Sequence, residues 1–155
     1  MKPREQARFG ASMAHWPDAL AFVEAFCQRH GLAQRDMLRL VLVAEELFTN
    51  VVEHGHGGGD AGAELRVELV PSPGRVALMI EDRAAPFDPL AQAQAHPPGL
   101  DADADARPVG GLGLHLVAQL AVEARYAREQ GCNRVWIVLA TGDVADADQG
   151  APLPR

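Results

Sequence analysis

The chain has 155 residues, 48% hydrophobic and 23% charged, enough for one globular core and too few for two comfortable domains. Its formal charge of −7, from 14 basic and 21 acidic side chains, opposes a phosphate backbone, and no basic stripe offsets it, so no direct nucleic-acid partner is expected. The opening "MKPREQARFG" lacks the apolar stretch of a signal peptide, and no segment reaches about eighteen continuous apolar residues. Cys27 and Cys132 each sit in an apolar periodic segment and read as small core residues. These features predict a cytoplasmic protein with reduced thiols and no membrane partner.

The punctuation of the chain then divides it into elements. "WPDALAFVEAFCQRHG" has proline at a helix start, apolar residues at helical spacing and glycine at the end, which predicts a helix over Pro17 to His30. A second helix is expected from about Arg35 to His54, terminated by Gly55. "ELRVELV" and "RVALMIED", Glu64 to Val70 and Arg75 to Asp82, predict a hairpin around "PSPG". From Ala84 to Pro108 alanine, proline and aspartate dominate without a period, which predicts a long functional loop. "GGLGLHLVAQLA" opens with glycines and becomes helical, and "VEARYARE" and "NRVWIVLA" close the fold as two strands joined around Gly131. Residues 1–140 are expected to form one domain, with 141–155 a flexible tail.

Within the second helix the polar residues carry the interest. At roughly 100° per residue, eleven apolar side chains from Met37 to Val52 cover most of the circumference, which predicts a largely buried helix. A narrow wedge remains, holding Arg39, Glu46, Asn50 and Glu53 with His54 at its edge, and Glu46, Asn50 and His54 follow one another at i, i+4 and i+8. Alone, such a wedge also describes a solvated strip. Two further stretches lie downstream. "EDRAAPFDP" places Asp82 at the end of an apolar strand, where its carboxylate can meet a polar ligand edge. "GGLGL", Gly110 to Leu114, is a glycine-rich turn entering a helix, a place where backbone N–H groups face an anion and the missing Cβ permits close approach.

In order and spacing, these stretches resemble the GHKL ATPase superfamily, and most closely its anti-sigma factor serine/threonine kinases. "EELFTNVVEHG" stands for the N box, "EDRAAPFDP" for the first glycine box, Ala84 to Pro108 for the ATP lid and "GGLGL" for the second glycine box. The resemblance implies an α+β fold of the Bergerat type, a two-layer sandwich with a mixed, mainly antiparallel sheet and helices on one face. It implies ATP and Mg²⁺ as cofactors, with Asn50 holding the metal, Asp82 accepting from the adenine amino group, and Gly110, Gly111 and Gly113 cradling phosphate. The remaining ATP-binding positions it implies are His54, Ala84, Pro86, Arg107, Leu112 and Leu114.

Glu46 is the informative residue, because a serine hydroxyl must lose its proton as it attacks the γ-phosphate. Sensor histidine kinases resemble this box but typically lack that acid. By resemblance the partner is a serine-bearing anti-sigma factor antagonist of the STAS type, with a sigma factor as a further partner and a homodimer as an assembly the family often uses. Two readings stay open: a kinase with Glu46 as base, and a nucleotide-gated module that sequesters its partner with little chemistry. Departures from the family favour the second. Ala84 stands where a glycine is usual, and its methyl group either crowds the adenine or sits on an ordinary backbone angle. Asp101, Asp103 and Asp105 make the lid acidic, leaving Arg107 as its basic residue. His54 and His56 lack the further ligands of a zinc site, and Trp16 and Trp136 read as packing residues.

Overall fold

The computed structural model describes residues 3–55, 62–91 and 111–142. It opens with a strand that the sequence reading did not anticipate, β1 (Glu5–Gly10), followed by a 3₁₀ turn over Met13–His15 whose Ser12 Oγ accepts from Ala14 N at 3.3 Å. Helix α1 (Trp16–Arg29) carries Pro17 in its first turn and stops before Gly31, whose φ of 66° suits a residue without Cβ. Helix α2 (Gln34–Asn50) ends four residues earlier than expected, in a π-helical turn over Val51–Gly55. The hairpin follows as β2 (Glu64–Ser72) and β3 (Arg75–Asp82), turning through Pro73 and Gly74. Helix α3 (Gly111–Leu120) and strands β4 (Glu123–Glu129) and β5 (Cys132–Ala140) complete the fold. Gln130 and Gly131, at φ 53° and 76°, supply the two left-handed residues that a tight twisted hairpin requires.

The sheet runs β1-β2-β3-β5-β4, and every pairing among the described residues is antiparallel. Alternation sends Leu65, Val67 and Leu69 of β2, Val76, Leu78 and Ile80 of β3, and Val135, Ile137 and Leu139 of β5 to one face. There they meet Val23 and Phe26 of α1, Leu40, Leu47 and Phe48 of α2, and Leu114 and Val117 of α3 in a single core. Each such large side chain contributes about 1.5–3 kcal/mol by leaving water. The opposite face is charged: Arg66 and Arg134 both donate to Glu81, at 3.1 and 2.5 Å, across three neighbouring strands. The result is the two-layer α+β sandwich expected, with helices on one side.

Helix α2 departs from expectation in its burial. Leu38 is 57% exposed and Val41 and Leu42 are half-buried, so the helix has a core face and an outer face instead of an apolar circumference. Its second surprise is Asp36, buried in the first turn, whose Oδ2 accepts from Gly142 N at 3.0 Å and anchors the end of the sheet. Cys27 and Cys132 are buried free thiols. Trp16 packs on Phe48 with ring centroids 5.5 Å apart, and Trp136 lies under Arg125 at 4.2 Å, so both are packing residues. Among the described residues no helix is long and apolar enough to cross a membrane. The expected lid from residue 92 onward, His56 and the tail from residue 143 lie outside the described residues.

Candidate functional site

The inner face of the sheet is apolar along Val76, Leu78 and Ile80 until it reaches Asp82, and along Leu139, Ile137 and Val135 until it reaches Asn133. The register sets Asp82 opposite Asn133, so both polar side chains face the helix layer at one end of the sheet, at 7% and 3% exposure. Asn50, 8% exposed, arrives there at the end of α2. Together with Leu47, Val51, Ile80, Phe87, Pro89 and Val135 they line a cleft of about 20 Å³. That is the room of a single water.

The polar groups of the cleft are half-satisfied. Asp82 Oδ1 accepts from Ala84 N at 2.9 Å and from Asn133 Nδ2 at 3.0 Å. Its Oδ2 has no hydrogen-bond partner among the described residues, and neither has the Asn50 side-chain amide. A buried polar group left unpaired costs about 1–3 kcal/mol. Such a cost is removed by a ligand that brings an amino donor to the first and a cation to the second, which is the fit that an adenine ring and Mg²⁺ require.

A second, smaller cleft adjoins the first through Asn50 and is lined by Glu46, Thr49, Asn50, Glu53, His54 and Leu114. Beyond Asn50 the π-helical turn widens the backbone, a feature frequent at functional sites. The His54 ring lies flat on Phe87, centroids 5.3 Å apart and planes 11° apart, and so bridges the two clefts. Opposite, the first turn of α3 approaches α2 so closely that a Cβ at Gly113 would fall inside the Glu46 carboxylate. A side chain at 113 would therefore have to displace the Glu46 carboxylate, the end of a flexible side chain. Buried Leu114 and Val117 hold α3 in that position. Burial raises the Glu46 pKa, and the neighbouring charges of Glu45 and Glu53 push it in the same direction.

Of the residues singled out from sequence, Glu46, Asn50, His54, Asp82, Gly113 and Leu114 are thus gathered on two adjoining clefts. Gly111 and Leu112 open α3 beside them. Ala84 and Pro86 are not part of either lining. Ala84 is buried at 9% exposure, with its carbonyl accepting from Arg128 at 2.6 Å, and it has no left-handed φ. Its methyl group sits on the ordinary backbone angle that was the second alternative. Arg107, Gly110 and the lid aspartates lie outside the described residues. Sequence reasoning passed over Asn133, Phe87 and Pro89. Asn133 had one visible signal, a lone amide opening an apolar strand as Asp82 closes another.

The family described as histidine kinase-like ATPase domain matches residues 9–139. Serine-protein kinase RsbW of Listeria monocytogenes serotype 4a (strain HCC23) is 26% identical over 114 residues, 73% of this chain and 72% of that protein. The RsbW of a serotype 4b strain, CLIP80459, gives the same figures. The crystal structure of the RsbU and RsbW domains of Rv1364c from Mycobacterium tuberculosis superposes with a TM-score of 0.63 at 17% identity, a likeness of fold. It covers 90% of this chain, which spans 33% of that structure.

Proposed function

We propose that this chain, which belongs to the histidine kinase-like ATPase domain family, is an ATP-dependent protein serine/threonine kinase that phosphorylates an anti-sigma factor antagonist. The observation that carries the reading is the Glu46 carboxylate, held against the glycine turn of α3 and one helical turn from the unpaired amide of Asn50.

Asp82 offers its free Oδ2 to the amino group of adenine, while Leu47, Val51, Ile80 and Val135 enclose the ring. The N-terminal turn of α3 presents backbone N–H groups to the phosphates, and Gly113 leaves room for the Glu46 carboxylate beside that turn. Asn50 is the residue that would hold Mg²⁺, which when bound neutralises charge on the phosphate oxygens. Glu46 accepts the proton from the serine hydroxyl as the serine oxygen bonds to the γ-phosphorus and ADP departs. Its raised pKa makes it a stronger base than an exposed glutamate.

The test is phosphate incorporation from labelled ATP into a serine-bearing antagonist, alongside calorimetry of nucleotide and antagonist binding. Transfer to serine, dependent on Mg²⁺, is the expected result. The alternative is a nucleotide-gated module that sequesters its partner with little chemistry. A protein that binds Mg²⁺-ATP and antagonist yet transfers no phosphate is that module and not a kinase.

A further inference from the structure

Asn133 is 3% exposed, and both ends of its amide are fully engaged. Nδ2 donates to Asp82 Oδ1 at 3.0 Å, to Ala85 O at 2.9 Å and, at 3.4 Å, to Ala84 O. Oδ1 accepts from Phe87 N at 3.2 Å and from the Tyr126 hydroxyl at 2.6 Å. The amide can sit only one way round, because a flip would turn its NH₂ toward the Phe87 N–H and its oxygen toward a carboxylate and two carbonyls. One side chain from β5 thus fixes the loop after β3 and selects which oxygen of Asp82 is occupied. Tyr126, from the edge strand β4, locks the amide that does the selecting.

We propose that Asn133 is a positioning residue that sets the base selectivity of the cleft. With Oδ1 tied to Nδ2, Asp82 is held so that Oδ2 faces the incoming base as a fixed acceptor. An adenine amino group donates to it. The guanine carbonyl at the same place opposes it, acceptor against acceptor. Without Asn133 the carboxylate keeps only the Ala84 N–H, Ala85 and Phe87 lose their side-chain tether, and the penalty against guanine falls with the gain for adenine. The role rests on the nucleotide reading above, and on Asp82 as the group that meets the base.

The experiment measures ATP and GTP affinities by calorimetry with Mg²⁺ on the full chain and on Asn133→Ala and Tyr126→Phe, with circular dichroism of each. The parent prefers ATP. In Asn133→Ala the ATP-to-GTP affinity ratio falls by about tenfold or more, the scale of one polar contact in a buried site. In Tyr126→Phe, which removes one donor to the amide oxygen, it falls by a smaller factor of about two to five. A merely structural Asn133 gives a folded variant whose two affinities drop in proportion, and an unchanged ratio overturns the proposal. Should Asn133→Ala fail to fold, folded Tyr126→Phe with the parental ratio overturns it equally. A parent that binds both nucleotides alike, or neither, removes the nucleotide reading and the proposal together, and is seen before any variant is made.

Discussion

Glu46 and Asn50 stand one helical turn apart on α2 and line the same small cleft, yet their proposed work differs, and so should the consequences of changing them. Glu46→Gln keeps size and polarity and removes the base; transfer to serine is expected to drop about a hundredfold or more, with ATP affinity within a few-fold of the parent. Asn50→Ala removes the proposed metal ligand, so Mg²⁺-dependent ATP binding weakens and activity follows it. Initial rates and calorimetry on both variants check this, and equal loss of binding in both would make Glu46 a ligand contact instead of a base. Ala84 touches the adjoining cleft through its N–H, which donates to Asp82 Oδ1. Because it lines neither cleft and has no left-handed φ, Ala84→Gly should leave ATP affinity unchanged and lower stability by about 0.4–1 kcal/mol, through a more mobile unfolded chain. A gain in affinity would show that the methyl group does reach the base. Glu46, Asn50 and Asp82 were legible because each interrupts an apolar period. Asn133 was not, since its importance lies in a cross-strand register with Asp82, 51 residues away, that no local pattern contains.

At the level of elements, what was legible followed the strength of the period. The two long helices and the hairpin strands carry many apolar residues each and were found nearly to their ends. β1 has only two apolar residues, Ala7 and Phe9, on its inner side, too few for a pattern, and becomes a strand because β2 offers it a partner from Glu5↔Leu69 to Gly10↔Glu64. The end of α2 was misjudged for a similar reason: the hydrophobic spacing continues through Val51 and Val52, and nothing local signals the change to a π-helical turn. Helix α3 shows an element serving its neighbour. Alanine at 113 gains about 1 kcal/mol of helix propensity over glycine, but its Cβ must displace the Glu46 carboxylate. Gly113→Ala is therefore expected to keep its helical circular dichroism and lose about tenfold or more in phosphotransfer. Parental activity in that variant would separate Glu46 from the α3 turn during the reaction.

At the scale of the molecule, Glu81 and Glu46 shift in opposite directions and give the fold a pH dependence that can be dissected. Burial alone would raise the Glu81 pKa, but hydrogen bonds from Arg66 and Arg134 outweigh it and hold the group below its ordinary 4.5. A depressed carboxylate adds stability that is present above pH 4.5 and disappears as pH falls through its folded pKa. Glu46 has the reverse sign. Its folded pKa is raised by burial first and by Glu45 and Glu53 second, so its cost is absent below pH 4.5 and grows as pH rises through the folded value. Ionising Glu46 thus costs the fold stability, as expected of a group kept for reaction. Melting temperatures of Glu81→Gln, Glu46→Gln and the parent between pH 3 and pH 7 test this. At pH 7 Glu81→Gln should melt below the parent by about 2–4 °C, the scale of one surface network in a chain of this length, and Glu46→Gln should melt above it. Both differences should shrink on acidification, because protonated glutamate and glutamine are then nearly equivalent. If Glu46→Gln melts below the parent at pH 7, the ionised carboxylate stabilises the fold, through the α3 turn it touches, and the stored cost assigned to it does not exist.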